Sequence, residues 1–192
     1  MQNNTTMSIL EKIKYHLENK KYCKIVRQIN NKAIENAKGY ILDYSDGFVL
    51  IQDTDDFNID GFSIIPINTI IDLLYSNKDK YYDKIMTCEG LVDKVYKKYP
   101  IDLTSWNTIF KSIRKYGFNV IVENENPDDE SFDIGPITRI SDSSVHIRYF
   151  DAQGFLNEAP TKITWDLITI VKFDSHYINT FSRYLRERKT KK

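Results

Sequence analysis

Slid along itself by 96 residues, this chain of 192 meets its own pattern again, and that self-similarity restricts the fold more than any other property. Ile13 falls on Ile109, Ile25-Val26 on Ile121-Val122, Gly39 on Gly135 and Ile41 on Ile137. Further along, Ser45-Asp46 falls on Ser141-Asp142, Val49 on Val145, Ile51 on Ile147 and Tyr81 on Tyr177. The matched residues are apolar or turn-forming, the positions a fold must keep so that buried alternation and glycine-dependent turns survive. No catalytic constellation recurs with them. The pattern predicts two tandem copies of one small domain, residues 1–90 and 102–192, with 91–101 connecting them.

A half of that size closes its own core but buries only roughly 60–65% of its unfolded surface, so a mutual interface between the halves is expected. Lys+Arg and Asp+Glu both number 27, which leaves no overall field to draw in nucleic acid, an anionic membrane or an acidic substrate. By half, the counts are 12 basic against 14 acidic residues, then 15 against 13, too even to assign separate roles. Met1-Gln-Asn-Asn-Thr-Thr lacks the basic-then-apolar order of a secretory signal, and no run approaches the ~20 apolar residues of a membrane span. The expectation is a cytoplasmic protein with no membrane contact. Cys23 and Cys88 face Asn119 and Tyr184 in the other copy, so they read as two unlinked reduced thiols.

Each copy opens with a helical spacing, Ile9, Leu10, Ile13 and Leu17 in the first and Trp106, Ile109, Phe110 and Ile113 in the second, with Ser8 and Thr104 as N-caps. Five short β-branched or aromatic runs follow: Tyr22 to Ile29, Gly39 to Tyr44, Phe48 to Gln52, Phe62 to Ile67 and Ile70 to Tyr75. The second copy supplies Phe118 to Glu123, Ile134 to Ile140, Val145 to Phe150, a weak run at Thr161 to Trp165, and Leu167 to Phe173. A two-residue slip in the third hairpin then sets Ile70 on Ile168 and Tyr75 on Phe173. Tyr81-Tyr82-Ile85 and Tyr177-Ile178-Phe181-Tyr184-Leu185 give closing helices. The fold class is mainly β with short helices (α+β), as two tandem helix-plus-five-stranded small β-barrel repeats.

A helix followed by five short, bent strands, with Gly39 and Gly135 opening the second strand and Ser45-Asp46 or Ser141-Asp142 turning into the third, resembles the Sm-like small β-barrel of the broader SH3-like class. The resemblance covers most of both copies and implies the barrel fold, with ring-like strand pairing between copies. In that family the RNA pocket uses an Asn after the second-to-third-strand turn and an Arg-Gly or similar pair between the last two strands. Here the turns continue Gly47-Phe48-Val49 and Ser143-Ser144-Val145, and the last junctions read Asn68-Thr69 and Asp166-Leu167, so that signature is absent.

Asp56, Asn58 and Asp60 of the acidic loop from Asp53 to Asp60, with Gly61 next in the chain, reproduce the first half of a calcium loop. The place of its bidentate Glu is taken by Ile67, and Phe57 and Ile59 alternate as a strand leading into an Asp-Gly hairpin turn. His16, His146 and His176 have no counterparts in the other copy, so no metal, cofactor or catalytic triad is expected. Asp128, Asp129, Glu130 and Asp133 read as a solvated acidic loop, and the basic end Arg183, Arg186, Arg188, Lys189, Lys191 and Lys192 as a frayed tail. Tyr44, Phe48, Tyr149, Phe150 and Phe155, at strand ends and hairpins, are the candidate binding residues, placed to anchor a protein or stack bases. The reading is a non-enzymatic module for a protein partner, monomeric or homodimeric, with single-stranded RNA as the alternative.

Overall fold

A serine stands immediately before each apolar-periodic segment and sets where the helices begin. The computed structural model describes residues 7–188, with helices α1 (Ile9–Glu18), α2 (Asn77–Cys88), α3 (Trp106–Lys115) and α4 (His176–Ser182). Ser8, Ser76 and Ser105 each close a capping box, with Glu11, Asp79 and Thr108 three residues on, and Ser175 accepts the Ile178 amide. Thr104 is therefore not the cap of α3: its hydroxyl donates to Asp102 Oδ1 at 2.5 Å, one residue too early to reach the helix amides. No described helix is long and apolar enough to cross a membrane.

Between the helices run β1 (Tyr22–Ile29), β2 (Lys32–Tyr44), β3 (Phe48–Asp55), β4 (Asn58–Pro66) and β5 (Ile70–Leu74). The second half supplies β6 (Asn119–Asn124), β7 (Ser131–Ile140), β8 (Ser144–Ile147), β9 (Thr161–Thr164) and β10 (Ile170–Phe173). All ten join one sheet in the order β5-β1-β2-β3-β4-β10-β6-β7-β8-β9. The architecture is mainly β with four short helices, an α+β arrangement. Each half carries one strand order, its last strand beside its first, and the halves meet where β4 pairs antiparallel with β10.

Local devices recur at matching places. Gly39 and Gly135 both have φ of +154°, and a Cβ there would lie 2.0 Å from the Gln52 and Arg148 carbonyl oxygens, so only glycine lets the long β2 and β7 bend against the next strand. Each strand then bulges, between Ile41 and Asp43 and between Ile137 and Arg139. The following turns are closed by Ser45 and Ser141, whose hydroxyls accept the Phe48 and Ser144 amides at 3.1 Å. A 3-10 turn separates the last two strands of each half, at Ile67–Thr69 and Trp165–Leu167.

The offset between matching places of the two halves is not uniform. Ser8 and Ser105 stand 97 residues apart, and Ile25 opposite Leu73 corresponds to Val122 opposite Val171. Setting Ile25 on Ile121 would turn every side chain of the strand to the wrong face, and Ile13 likewise matches Phe110. The hairpin after β3 turns at Asp56-Phe57, with Asp56 at φ +48°, and the expected Asp60-Gly61 turn lies inside β4. Gly61 serves the seam: a Cβ there would meet Phe173 O at 2.6 Å and Ser175 N at 2.5 Å.

Two cores result. Ile13, Cys23, Ile25, Val49, Ile51 and Ile65 fill the first, while Leu50, Phe62 and Ile64 leave the first half to join Phe110, Val122, Val145 and Phe173 in the second. Phe62 stacks on Phe173 with centroids 5.2 Å apart. The connection is packed as well, since Val95 and Ile101 are buried and Tyr99 donates to Asp174 at 2.7 Å. Deeper in the seam, buried Arg27 holds the Glu125 carboxylate through both Nη atoms at 2.7 Å and donates to Thr169 O at 3.1 Å. Burial pushes Glu125 up, but hydrogen bonds and charge from Arg27, with Asn36 and Thr169, outweigh it and hold the carboxyl below its ordinary range.

Candidate functional site

Strand pairing across the seam brings the first half's β2–β3 turn and both 3-10 turns to one place, together with the start of α3. Between them lies a cleft of about 640 Å³. Its aromatic walls are Phe48, Trp106 and Trp165, its polar lining includes Gln28, Asn68 and Thr169, and its charges are Asp46 and Asp166. Among the described residues no lysine, arginine or histidine lines it.

The rings are held from behind. Phe48 packs edge-on to Trp106 at 4.6 Å, Trp106 packs on buried Phe110 at 6.0 Å, and Phe110 stacks on Trp165 at 5.7 Å. Trp165 Nε1 donates to Asp142 O at 2.7 Å, which fixes the indole's orientation. The turn bearing Asp46 is pinned by Ser45, whose hydroxyl donates to Leu103 O at 2.8 Å and accepts the Gly47 amide at 3.2 Å. Thr169 ties the cleft to the Arg27–Glu125 clasp, donating to Glu125 Oε2 at 2.7 Å. Asp46 and Asp166 are exposed and enter no ion pair among the described residues. Hydrogen bonding, chiefly from the Thr164 hydroxyl, keeps the Asp166 carboxyl below its ordinary range. The wall is thus held in place by the protein's own packing and hydrogen bonds.

Of the five candidate residues, the structure brings Phe48 alone to this cleft. Tyr44 packs half-buried against the first core. Phe150 is 2% exposed and stacks on Phe181 at 5.6 Å, so it presents no free face to a base or a partner. Tyr149 packs half-buried against the same cluster. Phe155 lies under the Arg186 guanidinium at 4.1 Å. Arg186 donates to Gln153 O at 2.8 Å and Arg188 to Asp151 at 2.8 Å, so the described part of the basic end is docked and not frayed; Lys189, Lys191 and Lys192 lie outside the described residues.

The calcium-like residues diverge. Asp53 accepts the Ser63 hydroxyl at 2.5 Å, Asp56 occupies a turn, and Asp60 accepts the His176 amide at 2.6 Å. Among the described residues no three His, Cys, Asp or Glu side chains gather as a metal site. Burial pushes the Asp53 carboxyl up to about 7, against the lowering effects of Ser63 and Lys172. His16 is buried and held below its ordinary range chiefly by that burial, and both cysteines are free.

Trp106, Trp165, Asp46 and Asp166 escaped selection as site residues because the first two read as core and the last two as turns. Their signal lay in the junctions themselves: Ser45-Asp46-Gly47 and Asp166-Leu167 occupy the loops that a shared strand order carries to one side of the sheet. Comparison with protein-family models, with curated proteins and with solved structures finds no match.

Proposed function

We propose that the chain is a tandem duplication of one Sm-like small barrel and works as a non-enzymatic recognition module for a protein partner, with the inter-half cleft as its binding surface. Matching strand order, bulges, bending glycines and 3-10 turns support the duplication, and the Sm-like resemblance supports the barrel reading. The observation that carries the function is the cleft's lining: aromatic walls and two carboxylates, with no cationic side chain among the described residues. A nucleic-acid groove needs lysine or arginine to neutralise phosphates, and each such contact makes binding salt-dependent. This cleft would repel phosphate, whereas ordered rings amid adaptable polar groups are the usual anchors of a protein contact.

The test is capture from a cell lysate on the immobilised full chain, with and without nuclease. A nuclease-resistant protein captured by the native chain and lost with Trp165→Ala is the expected result. Capture abolished by nuclease, or saturable binding of a labelled single-stranded oligonucleotide at physiological salt, would establish the RNA alternative instead.

A further inference from the structure

Resting on that recognition reading, we propose that the cleft seats the charged end of an arginine or lysine side chain of the partner, held against Phe48 and Trp165 between the Asp46 and Asp166 carboxylates. Three observations converge on a cation. The walls are aromatic, and ring faces attract guanidinium and ammonium groups. Asp46 and Asp166 come from opposite halves of the chain, on the turn before β3 and the turn before β10, yet line one concavity. Neither is neutralised within the described protein, so two negative charges act beside low-dielectric walls that focus their field outward.

The supporting bonds make the arrangement preorganised. Trp165 is locked by Asp142 O and Phe110, and the Asp46 turn by Leu103 O, so neither wall has to be ordered when the side chain enters. Asn68 and Gln28, exposed at the rim, add amide oxygens that accept from a guanidinium or ammonium group. At about 640 Å³ the cleft has room for a long side chain and the flanking backbone that carries it.

Both tryptophans of the chain line the cleft, so its intrinsic fluorescence reports occupancy directly. The experiment titrates the full chain with the blocked peptide acetyl-Gly-Gly-Arg-Gly-Gly-amide, its citrulline analogue, spermidine and oligouridine. The expected result is a saturable change with the arginine peptide at sub-millimolar to millimolar affinity, weakened at least ~10-fold by citrulline and by Asp46→Asn with Asp166→Asn. Both substitutions are on exposed residues, and unchanged thermal unfolding verifies the fold. Equal binding of the two peptides, or binding indifferent to the double variant, overturns the cation seat while the recognition reading stands. Absence of any saturable change up to ~10 mM arginine peptide overturns it as well. Tighter binding of spermidine than of the peptide replaces the protein side chain by a free polyamine, and saturable oligouridine binding at physiological salt removes both the seat and the reading beneath it.

Discussion

On the first half, the cross-strand pair Leu50 and Ile64 faces the second half and is buried to 1% and 0% exposure; on the second half the pair in the same place of the strand order is His146 and Lys162. The next pairs in register, Val49 with Ile65 and Val145 with Ile163, are alike in both halves and buried. The same contrast continues sideways, where Phe62 has Pro160 as its counterpart and half-buried Leu42 has exposed Thr138. What differs between the halves is the outward face, and that face decides whether another unit can dock. An apolar face joins the first half to the second. A short edge strand with a lysine, after a proline, ends the sheet at β9, a device that discourages further strand pairing. The other free edge, β5, carries Asp72, whose carboxylate accepts the Leu73 amide at 2.8 Å and pairs with Lys12 at 2.5 Å, which occupies a backbone donor there.

The strongest way to break this contrast is to make the docking face resemble the free one. Ile64→Lys places an unpaired ammonium in the larger core, and a loss of about 4 kcal/mol is expected from urea unfolding. A loss below about 1 kcal/mol would mean that the halves do not depend on this face. The reciprocal exchange, His146→Leu with Pro160→Phe and Lys162→Ile, should make the chain self-associate more strongly than the native one as concentration rises, read by sedimentation. Unchanged sedimentation of that variant would show that the edge is guarded by something other than these three residues.

Comparable in size is the clasp behind the cleft. Arg27→Met leaves the buried Glu125 carboxylate without its counter-ion and should cost about 3–5 kcal/mol, whereas adding Glu125→Leu should recover much of the loss, because an apolar pair escapes the desolvation penalty. Arg27 Nε has no hydrogen-bond partner among the described residues, which already makes the clasp an expensive way to join two surfaces. A double variant no more stable than Arg27→Met would show the pair to be net stabilising in its own right.

Most of the backbone plan was legible in the sequence, and for a physical reason. Every one of the ten strands overlaps a β-branched or aromatic run read from the sequence, because alternation is enforced locally by burial, but β2 already begins at Lys32 and β4 at Asn58, ahead of the apolar runs that start at Gly39 and Phe62. The errors sit where tertiary contact overrides local pattern. Thr104 resembles a cap, but Ser105 has the extended backbone that reaches Thr108. Asp60-Gly61 resembles a turn, yet Gly61 is needed for the approach of Phe173, a residue more than 100 positions away. The cleft was illegible for the same reason. Its lining comes from five separated segments, and no local spacing announces that Asp46 and Asp166 will share one hollow.

The smallest expected effect concerns Asp53, which accepts the hydroxyl of Ser63, the β4 residue opposite Lys172 in the seam; its counterpart in the second half is Tyr149. Its folded carboxyl is pushed up to about 7 by burial, above the ordinary 3.8, so the neutral form is favoured in the native state. That contribution is complete below the unfolded value and is lost as pH rises through about 7. Asp53→Asn should therefore match the native chain near pH 3.5 and exceed its stability by about 1–2 kcal/mol at pH 8, a figure discounted for the partial solvent access of the side chain. Glu125 should behave in the opposite sense: its lowered carboxyl stabilises above the unfolded range and fails as pH falls. Urea midpoints of Asp53→Asn and Glu125→Gln across that range separate the two. If Asp53→Asn differs from the native chain by the same amount at both ends, the carboxyl is not titrating in the seam, and the polarity there serves packing alone.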